Sequence, residues 1–161
     1  MKRIELAKVI ITAFGIDIME KKFERDLFPD TSWDQWYRDY LYTVYEKRIM
    51  KWYNDGKFRP IRTVSRAEAL KVVLLASGIS KSDIMAHVRK LERSGELENP
   101  FSDVAQDAWY YYYVLYAYNM GIVEWRSQWI FAPDMKINRA ETSRLILNTL
   151  RVLDTEFTLD I

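Results

Sequence analysis

The chain has 161 residues but no cysteine, one histidine, five glycines and four prolines. Without thiols there is no disulfide framework and no thiolate zinc site. His87 alone, with no cysteine and no glycine-rich phosphate loop, leaves nucleophilic and metal-dependent catalysis short of their usual parts; no cofactor and no metal site are expected. No segment approaches the roughly 20 apolar residues of a membrane span, so no membrane insertion is expected. Charge of one sign is also missing: 24 basic and 23 acidic residues give a net charge of +1. Phosphate binding draws on a clear positive excess, which argues against nucleic acid as a partner. The opening Met1-Lys2-Arg3-Ile4-Glu5 turns amphipathic at once and has no small-residue cleavage site, so it does not read as a signal peptide.

Aromatic residues make up 15% of the chain, with 6 Trp and 11 Tyr, and those rings must pack or bind something. Many recur in register. Moving from residue 28 to residue 101 superposes Phe28-Pro29-Asp30 on Phe101-Ser102-Asp103, Trp36-Tyr37 on Trp109-Tyr110, and Tyr40 and Tyr45 on Tyr113 and Tyr118. The same shift carries Trp52 to Trp125, Phe58 to Phe131, Pro60 to Pro133, and Ser65-Arg66-Ala67-Glu68 to Asn138-Arg139-Ala140-Glu141. An ungapped match of this kind is a duplication. A third, partial copy places Arg3 and Glu5 on Arg66 and Glu68, and Gly15-Ile16 on Gly78-Ile79. The expected organisation is one domain over 1–161: the second helix of a partial repeat at 2–16, a full repeat at 28–80, an inserted helix and linker at 81–100, a full repeat at 101–152, and an unassigned tail at 153–161.

Each full repeat reads as two helices joined by a loop. Trp36, Tyr37, Tyr40, Leu41, Val44 and Tyr45, with their counterparts Trp109 to Tyr118, have helical spacing, and Gly121 is a left-handed C-cap. Asn54-Asp55-Gly56 is a turn; the remaining ligands of a calcium loop are missing. Ser65 with Glu68, and Asn138 with Glu141, form capping boxes that open the second helices. Val72, Val73 and Ala76 give one buried stripe, and Ile146, Leu147 and Leu150 the other. Ile84, Val88 and Leu91 predict the inserted helix, with His87 on its surface.

Phe-x-Asp, Trp-Tyr, Tyr118-Asn119-Met120-Gly121-Ile122-Val123, Phe-x-Pro and Ile137-Asn138-Arg139-Ala140-Glu141 together resemble the S-layer homology repeat. The resemblance covers about two and a half units. It implies an all-α domain of helix-loop-helix repeats in a pseudo-threefold arrangement. It also implies a bacterial cell-surface location, with the export signal outside this chain, and attachment to secondary cell-wall polysaccharide, often through a ketal-linked pyruvate. The binding grooves are expected between repeats, with the Arg of the Arg-Ala-Glu motif as a recurrent ligand. Three positions depart from the pattern: Arg48 stands where the family has Gly, Gln128-Trp129 replaces an Asp-Gly turn, and Lys2 occupies the cap position before Arg3.

The candidate ligand-binding residues are Arg66, Arg139, Asp30, Asp103, Trp36, Trp109, Glu68 and Glu141. Helix starts attract carboxylates through free N–H groups and the helix dipole, and the guanidinium forks of Arg66 and Arg139 suit a carboxylate. Each alternatively pairs with a nearby acid. Trp36 and Trp109 are either core rings or platforms for a sugar ring, Asp30 and Asp103 either sugar acceptors or helix caps, and Glu68 and Glu141 either capping residues or ligand contacts. Trp52, Trp125 and Trp129 are second choices for stacking. The expected function is non-catalytic anchoring; the carboxylates repeat with the structural period, whereas glycoside hydrolysis needs one asymmetric site. The alternative is a protein-interaction or self-assembly module that contacts other envelope proteins.

Overall fold

Among the described residues of the computed structural model there are six helices: α1 (Arg3–Ala13), α2 (Arg38–Glu46), α3 (Arg66–Ala76), α4 (Lys81–Ser94), α5 (Tyr111–Asn119) and α6 (Arg139–Leu159). The structure describes residues 1–20, 26–124 and 127–159, with side chains described as far as Asp154. Trp125 lies outside the described residues. Among the described residues there is no strand, only isolated bridges such as Lys2–Thr63 and Ser65–Lys136, so the chain is all-α as expected. It divides into two compact units, Met1–Val64 and Ser65–Ile161. The boundary falls inside a sequence repeat, so each unit joins the second helix of one repeat to the first half of the next.

The two units are built alike at this junction. In the first, the Arg3 and Ile4 amides of α1 donate to the carbonyls of Arg62 (2.9 Å) and Pro60 (3.0 Å). In the second, the Arg66 and Ala67 amides of α3 donate to Met135 (2.8 Å) and Pro133 (3.0 Å). Helix starts leave such N–H groups without intrahelical partners, and here the following loop satisfies them. The expectation of free N–H groups at these starts is therefore corrected: the two amides that lead α3 already have acceptors.

Each loop is held by the aspartate that follows the buried Phe28 or Phe101. Asp30 accepts from the amides of Phe58 (2.9 Å) and Arg59 (2.7 Å). Asp103 accepts from Phe131 (2.9 Å) and Ala132 (2.7 Å). The second amide in each pair belongs to a residue with left-handed backbone, φ 57° at Arg59 and 61° at Ala132. Left-handed backbone is costly for side chains with a β-carbon, and the two-point carboxylate clamp offsets that cost. Behind it, Phe28 meets Phe58 at 5.6 Å and Tyr45 edge-on at 5.5 Å; Phe101 meets Phe131 at 5.6 Å and Tyr118 edge-on at 5.3 Å.

α2 and α5 start later than the aromatic spacing predicts. Trp36-Tyr37 and Trp109-Tyr110 lie in turns just before them, where Arg38 N–H donates to Gln35 (3.0 Å) and Tyr111 N–H to Ala108 (3.0 Å). Both helices end in the same hydrogen-bonded turn. Gly121 N–H donates to Tyr118 and Ile122 N–H to Ala117; in the first unit Arg48 N–H donates to Tyr45 and Ile49 N–H to Val44. The residue at the bend has φ 70° at Gly121 and 58° at Arg48. The backbone of this cap is thus the same with either residue, at a strain of about 1–2 kcal/mol for the arginine.

Within the second unit, α3 buries Leu70, Val73 and Leu74, and α4 buries Ile84 and Val88. His87 is half-buried, not a free surface residue: its Nε2 lies 2.7 Å from Asn119 Oδ1 and its ring meets Tyr116 edge-on, which pins α4 to α5. The inward stripe of α6 is Thr142, Leu145, Ile146 and Thr149. Leu147 is exposed and Leu150 half-buried, a correction to the expected stripe. The threonine hydroxyls bond to carbonyls four residues back, Thr142 to Asn138 (2.9 Å) and Thr149 to Leu145 (2.8 Å). That bonding lets a nominally polar residue face inward. α6 also runs on into the stretch left unassigned from the sequence.

Candidate functional site

Arg66, the first residue of α3, is buried, with 9% of its surface exposed. Its guanidinium lies 4.9 Å from the centre of the Phe131 ring, the ring whose amide Asp103 holds. Placed this way, the side chain lines a groove of about 180 Å³ in the second unit. Ile122, Val123 and Leu145 give the groove an apolar lining, and Glu124, Glu141, Arg144 and Asn148 give it polar groups. Asn148 is held by a 3.0 Å bond from Nδ2 to the Ile122 carbonyl. Arg144 and Glu124 form a 3.1 Å ion pair with side chains 70% and 71% exposed, a pair solvent screens to little energetic value. The groove is smaller than the roughly 300 Å³ at which pockets for drug-sized ligands begin, and suits one residue of a longer ligand.

Of the residues singled out in the sequence, the groove brings together Arg66 and Glu141. Glu141 also closes its capping box, with Asn138 N–H to Oε2 at 3.1 Å and Glu141 N–H to Asn138 Oδ1 at 2.9 Å. Glu68 does the same for Ser65, at 3.0 and 3.3 Å. Arg139 begins α6, is exposed and does not line the groove. Asp30 and Asp103 direct both carboxylate oxygens at loop amides; these partners are not the starts of the helices that follow.

Trp36 and Trp109 are not core: 59% and 53% of their surfaces are exposed. Each receives a lysine from the preceding Arg-x-Glu helix over its ring, Lys8 at 5.3 Å and Lys71 at 5.6 Å, and each stands edge-on to the next tyrosine at 5.6 and 5.3 Å. Trp52 and Trp129 are exposed as well. Trp129 keeps left-handed backbone, φ 62°, at the position where the earlier repeat has Gly56 at 76°.

Arg3, at the head of α1, is held from several sides. Its Nε and Nη2 donate to the carbonyls of Phe58 (2.9 Å) and Lys51 (2.8 Å), and its guanidinium sits over Phe58 and Tyr53 at 4.7 and 4.9 Å. The Lys2 N–H donates to Glu5 Oε2 at 2.8 Å, so one half of the cap survives the loss of Ser. Sequence reasoning missed Arg144 and Asn148, although with Glu141 they stand at i, i+3 and i+7 on one helix face, a spacing that marks them as neighbours.

The sequence profile of the S-layer homology domain matches residues 30–70 and 100–143. The chain belongs to this family. It is 31% identical over 98 residues to a surface-layer 125 kDa protein of Lysinibacillus sphaericus, covering 61% of this chain and 7% of that protein. It is 29% identical over 104 residues to cell surface glycoprotein 1 of Acetivibrio thermocellus, covering 65% of this chain and 4% of that one. A Bacillus endoglucanase is 26% identical over 140 residues, 87% of this chain and 13% of the enzyme. The chain thus matches a small part of each relative, and the S-layer homology module recurs in proteins of different kinds that are named for the cell surface or for catalysis.

Proposed function

We propose that this S-layer homology chain is a non-catalytic anchor that binds secondary cell-wall polysaccharide at the bacterial surface, with Arg66 gripping an acidic group of one sugar residue. The observation that carries this reading is the Arg66 groove. A buried guanidinium stacked on Phe131 opens onto a small recess with an apolar lining and polar groups. A guanidinium in such a site meets a carboxylate, such as that of a pyruvyl ketal, with two parallel hydrogen bonds in low dielectric. Asp103 and the capping residues Glu68 and Glu141 support it indirectly, by fixing the loop and the helix starts. The two aspartates hold loop amides, which supports a structural role for these repeated carboxylates rather than general acid–base work.

The test is capture of the chain by cell-wall sacculi before and after removal of the secondary polymer. Wild type should bind only the intact wall. Arg66→Ala should bind at least tenfold more weakly, Arg66→Lys should fall between, and Arg139→Ala should stay near wild type. Undiminished binding by a folded Arg66→Ala protein overturns the site. Binding that survives removal of the polymer but not protease treatment of the wall favours the protein-interaction reading.

A further inference from the structure

The helix that closes each repeat has one face that is covered in two copies and open in the third. On α1 this face is Ile4, Ala7 and Ile11, and on α3 it is Ala67, Leu70 and Leu74; all of them are buried. The matching positions on α6 are Ala140, Ser143 and Leu147. They are exposed, Leu147 by 48%. The leading half of the next repeat covers the first two faces: α2 packs on α1 and α5 on α3. Lys8 and Lys71, on the same faces, reach over Trp36 and Trp109 of those half-repeats.

The head of α6 carries the rest of the same junction. Arg3 and Arg66 lie over Phe58 and Phe131 of the covering loops; Arg139 has their place in the repeat and is exposed. Ile4 and Ala67 donate their amides to Pro60 and Pro133, whereas among the described residues no carbonyl accepts from the Ala140 amide. Arg144 stands in the place of Lys8 and Lys71. The chain also leaves α6 by a different route. Gly15 and Gly78 turn it just after α1 and α3, with φ 59° and 92°. Arg151 replaces them, and α6 runs on to Leu159. The backbone therefore does not turn back over this face as it does after the two shorter helices.

We infer that α6 is an acceptor for the leading half of an S-layer homology repeat on another polypeptide, an aromatic helix with its Phe-x-Pro loop. The helix packs on Ala140, Ser143 and Leu147, and the Pro carbonyl takes the Ala140 amide. The Phe ring lies under Arg139 and the Trp ring under Arg144, each a cation–π contact. A second copy of this chain is a poor donor, because α1 and α3 engage both of its half-repeats. The partner is an envelope chain with an unmatched half-repeat, and completing that repeat links the two proteins. The inference rests on the repeat geometry and holds whether or not the Arg66 groove binds wall polymer.

Residues 28–64, supplied to the full chain as a labelled peptide and, separately, appended after Ile161 through a flexible linker, test it. The peptide should bind and a scrambled peptide should not. Leu147→Glu, at an exposed position, should weaken binding at least tenfold. Arg139→Ala should weaken it less, and Lys90→Glu on α4 should leave it unchanged. The appended segment meets α6 at high effective concentration, so a half-repeat too poorly ordered to bind alone still gives a result. Hydrogen exchange at the Ala140 amide should slow at least tenfold, and Leu147→Glu should cancel the slowing. Arg66→Ala should keep this protection even where it loses the sacculi, which separates failure of this site from failure of the groove. Unchanged exchange at Ala140 in the appended chain, equal binding of the scrambled peptide, or wild-type behaviour of Leu147→Glu overturns the proposal. Sedimentation in which the unmodified chain dimerises through Leu147 assigns the face to a second copy and overturns it too.

Discussion

Arg3 and Arg66 hold the same place in the repeat, one at the head of α1 and the other at the head of α3. Around Arg3 the loop closes in, and two backbone carbonyls and two rings engage the guanidinium. Arg66 keeps the ring contact with Phe131, and its side chain lines a recess. The same residue on the same helix start therefore lies against the ring of the following loop in both units, and in the second unit its side chain also lines a groove. Identity within the repeat fixes where the arginine is placed, and the residues of the following loop supply the groups around it.

The aspartate clamps should show the largest difference between the units. Removing a buried acceptor exposes amides to a cost of about 1–3 kcal/mol each. Asp103→Ala should cost about 3 kcal/mol, because the Phe131 and Ala132 amides are both partly buried. Asp30→Ala should cost about 2 kcal/mol, since the Arg59 amide it releases is exposed to water. Urea unfolding of the two variants checks the order, and a larger loss for Asp30→Ala breaks the comparison.

The helix-end turns give a smaller effect of opposite sign. Arg48→Gly should stabilise the chain by about 0.5–1 kcal/mol, the strain relieved less the added freedom of the unfolded glycine. Gly121→Arg should cost a similar amount. Thermal unfolding of both should show shifts of opposite sign, and two shifts of the same sign would mean that the turns are not equivalent.

Alkaline pH gives the gentlest probe. Burial, helped by Asp30 and Asp34, raises the Tyr37 phenol above its ordinary value. In the second unit burial raises Tyr110, with Asp134 and neighbouring acids adding to it, Tyr111 with Glu92, and Tyr113 by burial alone. A raised phenol favours the folded state fully below its unfolded value near pH 10, and that contribution is lost as pH rises through the folded value. Alkaline destabilisation should therefore report more strongly from tyrosines of the second unit than from Tyr37. Exchange protection of the two units followed between pH 9 and 11 checks it; earlier loss in the first unit contradicts it.

Much of the helical architecture was legible because its causes are local. Ser65 with Glu68 and Asn138 with Glu141 name their helix starts through side chains three residues apart, and Gly121 names a helix end through the one residue that bends left without cost. Trp36 and Trp109 were harder to read, because helical spacing looks the same for a ring inside a helix and a ring in the turn before it. The Asp30 and Asp103 bonds reach 28 and 29 residues along the chain, beyond any local pattern. The groove was half legible: Arg66 and Glu141 stood out through the motif, whereas Arg144 and Asn148 carry no motif and only helix geometry sets them beside Glu141.

By itself the sequence determined the repeat, its helices and the arginine at the head of each second helix, all of which follow from periodicity and capping within a few residues. The tertiary structure decided how the repeats are cut into packed units. α1 and α3 each donate their leading amides to the loop of the next repeat, so the folded unit straddles two sequence repeats. The physical reason is that a helix start leaves N–H groups that need acceptors. Here the acceptors come from the following repeat, after Pro60 or Pro133 has turned the chain back.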